Sequence, residues 1–455
     1  MKTKILSLTV VIALIIMVSG CNWIDSNINI DPTAPAEAPY STILPTTQVG
    51  MAYVIGGDYD RFTSLFTQHH FGTSRQHQNM YLYQLQESDL DNAWNSMYAG
   101  PLMDLHYLIE TGGKNGDTYY SGIAMILTAV GLGTTTDLLG DIPYTEAFQG
   151  NDNLQPSYNT QEQIYLAIQE LLQKGINFLS SGDGGAFIPS ADDFIYGGDV
   201  NKWIKAAWSL KARYALHIKD YANALAYSLK GFESNTDDML LKFGTSETQA
   251  NPFYQFMQQR GDISMGPVLM ELMEQFKDPR IVPFTSQDSS YQVTLIPDGF
   301  YTQQDSPIPF MTYAELKFIQ AECYLNNSNT DLAYKAYQDA IKANILYFGL
   351  DETTADDYVA SPAVGVGADN LTLKDIIQQK YIALYYQAET WTDWRRTEFP
   401  KITIPDGALV QQVVRRMIYP QSERLYNGDN LKKADGYTEV TQNFIVSKMW
   451  WDRMW

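Results

Sequence analysis

The chain has 455 residues, 45% of them hydrophobic, and its 31 basic and 52 acidic side chains give a formal net charge of −21 at pH 7. Phosphate neutralisation requires clustered lysines and arginines, so this acidic balance argues against a nucleic acid as partner. With only two cysteines, a network of several disulfides is excluded, and the fold depends on its apolar core.

The amino-terminal segment, residues 1–20, has the layout of an export signal peptide. Lys2 and Lys4 precede an uncharged apolar run over residues 5–18. That run is shorter than the roughly 20 residues that a helix needs to span a bilayer, which disfavours the alternative of a membrane anchor helix. The tetrapeptide VSGC at its end resembles the bacterial lipobox, so Cys21 is predicted to carry a lipid that tethers the protein to a membrane.

Residues 21–45 are rich in proline and show little helical periodicity, which is typical of a spacer. The remainder, residues 46–455, is predicted to be a single domain. Apolar periodicity predicts helices over residues 47–56, 61–70, 90–109, 119–138, 161–179, 200–231, 266–276, 312–325, 332–347 and 373–397. Loops rich in glycine and proline separate them, and the best strand candidate is YQVTLIP, which begins at Tyr291.

Two segments, residues 200–231 and 312–347, carry the spacing of a tetratricopeptide helix pair. Small residues in such a pair let its antiparallel helices approach, while aromatic side chains fill the gap. The matching residues are Trp208, Ala212, Ala215, Tyr221, Ala224 and Leu225 in the first segment and Ala321, Tyr324, Ala333, Tyr337 and Ala340 in the second. The predicted fold class is therefore mainly α, a tetratricopeptide-like helix-pair scaffold with large loop-rich insertions and minor β.

The acidic stretch DLLGDIPYTEAFQG places Asp137, Asp141 and Glu146 close together in sequence. Paired carboxylates of this kind suit glycoside hydrolysis, which leaves an all-helical glycoside hydrolase using Asp141 and Glu146 as an alternative function. The favoured interpretation is a turn at Gly140 and Pro143, with the carboxylates accepting hydrogen bonds from backbone donors.

Histidines at positions 69, 70 and 77 lie close together, but their spacing matches no familiar metal-binding pattern, and a polar loop is the favoured interpretation. Nucleophile-elbow, phosphate-loop and dinucleotide motifs are missing from the sequence. Cys323 falls on an apolar stripe and is interpreted as inert packing. The sequence therefore offers no convincing catalyst and predicts no cofactor and no metal-binding site, although it does not decide whether a structural metal ion is present.

Aromatic residues are plentiful, with 9 Trp, 31 Tyr and 19 Phe. Aromatic rings suit stacking on sugars or on peptide side chains, and neighbouring amide or guanidinium groups supply directed hydrogen bonds. Two loop-like regions combine these groups and are predicted to bind a ligand. The candidates are Arg75, Gln76, Asn79, Tyr81 and Tyr83 in the first region and Phe300, Tyr301, Gln303 and Gln304 in the second.

Several segments together resemble the SusD/RagB family of surface lipoproteins, in its SusD-like branch. They are DLLGDIPYTEAFQG, KWIKAAWSLKARYALH, NPFYQFMQQRGDISMG followed by KDPR, YAELKFIQAECYL, IIQQKYIALYYQAETWTDWRRTEFP and VVRRMIYPQSERLYN. The resemblance implies a non-enzymatic lipoprotein on the outer face of the outer membrane. It also implies that the protein captures an oligosaccharide or a peptide and passes it to a SusC-like TonB-dependent transporter. A tetratricopeptide scaffold that binds only proteins is the other alternative.

The most recognisable motif residues need not touch a ligand. Mixed aromatic, arginine and carboxylate groups at helix ends usually make internal charge-assisted hydrogen bonds. The residues assigned to this structural role are Trp391, Asp393, Arg395, Arg396, Arg415, Arg416, Tyr419 and Glu423. Trp208 stands where relatives usually carry asparagine, and it is interpreted as a packing replacement.

Overall fold

Helices make up most of the computed structural model, which describes residues 38–285 and 299–455. The signal peptide, Cys21, most of the predicted spacer and the strand predicted from Tyr291 lie outside these residues. Tyr40–Trp455 forms one compact unit. The predicted fold class, mainly α with minor β, is confirmed.

The helices are numbered in chain order. They are α1 (Tyr40–Ala52), α2 (Asp60–Phe66), α3 (Arg75–Tyr81), α4 (Ser88–Met97), α5 (Met103–Asn115), α6 (Thr118–Leu139), α7 (Gln161–Ser180), α8 (Val200–His217), α9 (Tyr221–Ser228), α10 (Pro252–Gln259), α11 (Pro267–Phe276), α12 (Ile281–Thr285), α13 (Tyr313–Asn326), α14 (Thr330–Tyr347), α15 (Glu352–Ala360), α16 (Leu373–Ala383), α17 (Glu389–Thr397), α18 (Gln421–Tyr426), α19 (Gly428–Leu431) and α20 (Thr441–Phe444). Two π-helical segments, Tyr53–Tyr59 and Tyr98–Leu102, continue α1 and α4.

The strands form two-stranded antiparallel pairs. They are β1 (His70–Gly72), β2 (Ile142–Pro143), β3 (Tyr158–Asn159), β4 (Met239–Leu241), β5 (Ile263–Met265) and β6 (Ile308–Met311). Strand β1 pairs with β5, β2 with β3, and β4 with β6. Each pair joins segments that are distant in sequence, so the strands fasten loops to the helical scaffold.

The most apolar helix, α6, lies in the middle of the scaffold between α5, α7 and α8. It is the one helix in the described part of the chain that is long and apolar enough to cross a membrane, and 94% of its apolar window is buried inside the protein. Its apolar character is therefore explained by the protein core. Helix α7 begins with a capping box of Thr160 and Gln163 and packs its apolar face against α6.

The two predicted tetratricopeptide-like segments each contain two helices that pack together, α8 with α9 and α13 with α14. A break at Asp220, which caps the start of α9, divides the first segment where a single pattern over 200–231 was predicted. Cys323 is buried in α13, and burial raises the pKa of its thiol. Trp208 is half-buried against the ring of Tyr227, with the Lys230 ammonium 4.4 Å above its own ring.

Several predicted elements need correction, and the single helices predicted over 90–109 and 373–397 are each divided. The spacer was predicted to reach residue 45, but α1 already begins at Tyr40, because Tyr40, Ile43 and Leu44 are buried in the core and outweigh the effect of Pro45. The predicted binding loop at residues 75–81 is the short helix α3. Helices α10 and α15 were not predicted at all, because both are short.

The family-motif residues make internal hydrogen bonds and ion pairs between segments of the fold, as predicted. The buried guanidinium of Arg396 donates to Glu322 at 2.9 Å, and that of Arg415 donates to Asp452 at 2.7 Å. Trp391 is fully buried, and the other members make comparable hydrogen bonds to backbone or side-chain groups. Because unpairing a buried charge is costly, these contacts hold α17 and the carboxyl-terminal segment on the scaffold.

Candidate functional site

A cleft of about 470 Å³ opens where α1, the π-helical segment Tyr53–Tyr59, α4 and α10 meet. We call it the polar cleft. Most of its side chains carry amide, hydroxyl, carboxylate or guanidinium groups. Its lining comprises Gly50, Tyr53, Val54, Gly57, Asp58, Arg61, Asn92, Ser96, Pro101, Pro252, Gln255, Phe256 and Gln259. Flat amide groups beside aromatic rings can bind hydroxyl-rich or amide-rich small molecules.

Helix α10 supplies one wall of the polar cleft. Pro252, Gln255, Phe256 and Gln259 follow the spacing i, i+3, i+4 and i+7, which places them on one helical face. The Asn251 side chain caps the helix by accepting hydrogen bonds from two backbone N–H groups, at 2.7 and 3.2 Å. This face could have been found in the segment NPFYQFMQQ, whose polar and aromatic residues follow the helical period.

Arg61 is fixed at the floor of the polar cleft by three groups. Its guanidinium donates to Asp58 at 2.5 Å and to Nε2 of His77 at 3.0 Å, and it lies 4.4 Å from the centre of the Phe256 ring. Burial, together with the neighbouring charge of Arg61, lowers the pKa of His77 to about 3, so the imidazole is neutral. Since Nε2 accepts a hydrogen bond from Arg61, the ring proton is on Nδ1, which faces Asp262 at 3.7 Å.

Asp262, next to β5, continues this chain of contacts behind the cleft. It is buried and accepts hydrogen bonds from Arg75, at 3.0 Å from Nε, and from Ser74, also at 3.0 Å. The close approach of Gly72 to the backbone of His77, where a Cβ would lie 2.0 Å from the carbonyl oxygen, holds β1 against α3. The predicted residue Arg75 therefore stabilises the arrangement that orients Arg61.

A second cleft, of about 400 Å³, shares Tyr53 with the polar cleft, and we call it the aromatic cleft. Three aromatic and two aliphatic side chains dominate it. Its lining comprises Val49, Tyr53, Phe194, Leu241, Lys242, Phe243, Gly244, Thr248 and Gln249. A mainly polar cleft and a mainly apolar cleft therefore lie on either side of Tyr53.

The remaining predicted residues of the first region lie on or beside α3. Gln76 donates to Asp89 at 2.8 Å, Asn79 is exposed, and Tyr81 is half-buried with its ring 5.9 Å from that of Phe71. Tyr83 is only 1% exposed. Since its ring is in the core, the expectation that Tyr83 stacks on a ligand does not agree with the structure.

In the second region, Phe300 is half-buried, Gln303 is exposed and Gln304 is half-buried. The carbonyl oxygen of Gln304 accepts a hydrogen bond from the backbone N–H of Asn251, which joins this region to the start of α10. Tyr301 is 2% exposed and packs among other aromatic rings. Its prediction as a stacking residue likewise does not agree with the structure, because core packing takes up both faces of the ring.

The acidic residues of the hydrolase alternative make structural contacts. Asp141 is buried and accepts backbone N–H groups of Gln161 and Asp435, at 2.8 and 2.9 Å. Glu146 is exposed and accepts the backbone N–H of Ser157 at 3.0 Å. The carboxylates therefore accept backbone hydrogen bonds as expected, but the donors lie in other segments and not in the turn at Gly140 and Pro143.

Asp137 belongs to a buried network with His217 and Glu389, whose potential metal-binding atoms lie within 4.8 Å of one another. His217 Nε2 is 2.8 Å from Glu389, and Nδ1 is 3.4 Å from Asp137. Burial lowers the pKa of His217, but the two carboxylates outweigh it and raise the pKa to about 9. Protonated His217 therefore lies between the two acids, and Arg213, which also pairs with Glu315, lies 3.7 Å from Glu389.

His69 and His70 are buried, so the expected polar loop is wrong at these positions. His70 Nε2 lies 2.8 Å from the Tyr385 hydroxyl, and His69 Nε2 lies 2.9 Å from the carbonyl oxygen of Tyr381. Burial lowers the pKa of His69 to about 3. Both imidazoles therefore connect β1 to the scaffold as neutral groups.

Comparisons with known proteins agree with this architecture. A family model for SusD-like proteins, described as starch-binding and associating with the outer membrane, matches residues 32–420. A comparison with curated protein sequences returned no match.

Solved structures share the fold over nearly their whole length. A SusD/RagB family protein from Bacteroides thetaiotaomicron is 22% identical, with 91% of this chain and 99% of that chain covered and a TM-score of 0.77. A SusD homologue from Bacteroides fragilis is 20% identical, with 91% and 99% covered and a TM-score of 0.73. A chitin-binding SusD homologue from Flavobacterium johnsoniae is 20% identical, with 90% and 98% covered and a TM-score of 0.71. The predicted resemblance is confirmed, and the chain belongs to the SusD-like family of proteins that associate with the outer membrane.

Proposed function

We propose that this protein captures an oligosaccharide in the polar cleft, without catalysis, and delivers it to a SusC-like TonB-dependent transporter. The observation that carries the proposal is the lining of the cleft in a chain of this family. Arg61, Asn92, Gln255 and Gln259 offer directed hydrogen bonds, and Phe256 offers a ring beside them. Sugar hydroxyls need many such partners, and a sugar ring also presents an apolar face that suits stacking.

The starch and chitin binding named for the family and for its structural neighbours favours a glycan over the peptide alternative. Amides and aromatic rings also suit peptides, so both ligand classes belong in the test. A scaffold that binds only proteins would bind neither.

The test is a glycan array and a peptide array probed with the chain from residue 22 onward, followed by calorimetry of any ligand found. Gln259 lines the polar cleft, whereas its exposed neighbour Gln258 on α10 does not, so the two provide matched variants. Gln259→Ala is expected to lower the affinity about three- to tenfold, as the loss of a hydrogen bond does. Gln258→Ala should leave it unchanged. Binding of peptides alone, or equal effects of the two variants, would contradict the glycan site.

The lipid anchor at Cys21 and the transporter partner are part of the same proposal. Two acyl chains give lasting attachment, whereas the isolated domain is free to diffuse. Cys21→Ala should release the protein from the membrane and abolish uptake while the ligand affinity stays unchanged. Loss of affinity on release would mean that the tether contributes to the binding site.

Absence of catalysis is tested on the same oligosaccharide. The hydrolase alternative predicts products that disappear in Glu146→Gln, an exposed position where the substitution does not disturb the core. We expect no products from either chain. Turnover that depends on Glu146 would establish the enzyme instead.

A further inference from the structure

We propose that the aromatic cleft binds an aryl group attached to the oligosaccharide, such as the aromatic acid of a sugar ester or the aglycone of an aryl glycoside. This inference rests on the proposed glycan site, because the two clefts meet at Tyr53. It adds a second chemical class to the ligand. A ligand spanning both clefts would place sugar hydroxyls among the amides and an aromatic ring among aromatic side chains.

Phe194 is held in an exposed position by the contacts of its backbone and of its neighbour. Its side chain is 51% exposed, yet its backbone N–H donates to Gln48 at 2.8 Å. The preceding residue, Asp193, is buried and accepts hydrogen bonds from Trp203 Nε1 at 2.7 Å, from Gln48 Nε2 at 2.7 Å and from the Gly198 N–H at 2.9 Å. A large apolar side chain on so firmly fixed a backbone is ready to receive a ligand without reorganisation.

Tyr53 is fixed through its hydroxyl group, and its ring packs against that of Phe243. Their ring centres lie 6.0 Å apart at an interplanar angle of 66°. The Tyr53 hydroxyl donates to the carbonyl oxygen of Ala250 at 3.1 Å and accepts from Gln255 Nε2 at 2.8 Å. The tyrosine also begins the π-helical segment, and such segments are frequent at functional sites. Two ring faces at a wide angle suit an aromatic guest, which prefers edge-to-face contacts.

The walls of the aromatic cleft are mainly apolar. Val49 and Leu241 complete an apolar surface around the three rings, while the polar lining residues Lys242, Thr248 and Gln249 are exposed. A sugar seated against these walls would find fewer hydrogen-bond partners for its hydroxyl groups than in the polar cleft, whereas an aryl group needs none. The polar cleft has the opposite character. The occupant is therefore an aryl group and not a further sugar ring.

The experiment compares 4-nitrophenyl and methyl glycosides of malto- and chito-oligosaccharides by calorimetry, using the chain from residue 22 onward, which contains the compact unit Tyr40–Trp455. We expect the nitrophenyl glycoside to bind about tenfold more tightly than its methyl counterpart, because the ring buries apolar surface. Phe194→Ala should bring the ratio close to one without changing the affinity for the methyl glycoside. Phe187→Ala is the control, because Phe187 is 60% exposed but contacts Tyr40 outside the cleft.

The outcomes separate the two proposals. Equal binding of nitrophenyl and methyl glycosides would overturn the aryl site and leave the glycan site intact. An equal loss for both glycosides in Phe194→Ala would make the aromatic cleft a sugar subsite, which also overturns the inference. If neither class of glycoside binds, the proposed glycan function fails and the inference fails with it.

Discussion

Tyr301 provides the sharpest test of where core ends and binding site begins. The sequence predicts that it contacts a ligand, whereas the structure leaves it 2% exposed. Its ring centre lies 5.1 Å from that of Phe300, 5.9 Å from Phe348, 5.8 Å from Tyr385 and 6.0 Å from Tyr386. Tyr301→Ala should therefore lower the free energy of unfolding by about 3–5 kcal/mol, the usual cost of removing a buried aromatic ring.

Urea unfolding followed by circular dichroism measures this change. Tyr301→Phe keeps the ring and loses the hydroxyl contacts with Tyr347, at 3.4 Å, and with Gln387, so its cost should be about 1–2 kcal/mol. Tyr426→Ala, at a side chain that is 72% exposed, is the matched control and should change the free energy by less than about 0.5 kcal/mol. If Tyr301→Ala were as stable as the control but bound ligand poorly, the ring would belong to the binding site and the reasoning from burial would be refuted.

Three further predictions concern the positioning of Arg61 by Asp262, the pH dependence of stability through His217, and the anchoring of Phe194 by Asp193. Asp262→Asn should weaken oligosaccharide binding about three- to tenfold, because it loosens the contacts behind Arg61; calorimetry with unchanged affinity would exclude this positioning role. The pKa of His217 is raised from 6.5 to about 9, so its stabilising contribution is complete below pH 6.5 and is lost as the pH rises through 9, by roughly 3 kcal/mol in all. Urea unfolding at pH 6 and pH 9.5 measures that loss of stability, and the loss should be missing in His217→Gln; a loss of the same size in the variant would show that His217 is not its source. Asp193→Ala should lower the free energy of unfolding by about 3 kcal/mol or more, because it unpairs several buried donors, and should abolish any preference for nitrophenyl over methyl glycosides; a variant of normal stability with the preference intact would contradict the proposed anchoring of Phe194.

Much of the helical scaffold could be predicted from local patterns. Helix α7 shows both a cap at Thr160 and a regular apolar stripe, and the predicted range 161–179 differs from the observed Gln161–Ser180 by one residue. The structural role of the arginine-rich family motif was also predictable, because mixed charges at helix ends have few other uses. Short helices were missed, since α3 has too few residues to show a period and the period of α10 extends over only about two turns.

The helical class and the family could be read from local periodicity and contiguous motifs, while the export signal and the lipid site at Cys21 stay predictions. Which aromatic residues are exposed to a ligand follows from tertiary packing. Tyr83 and Tyr301 stand near glutamines in the sequence and are buried, whereas Tyr53 stands in the apolar stretch VGMAYVIGG and is 37% exposed. The physical reason is that both clefts are assembled from segments distant in the chain, such as residues 49–61, 241–249 and 252–259. Exposure depends on how those segments pack, which no local pattern records.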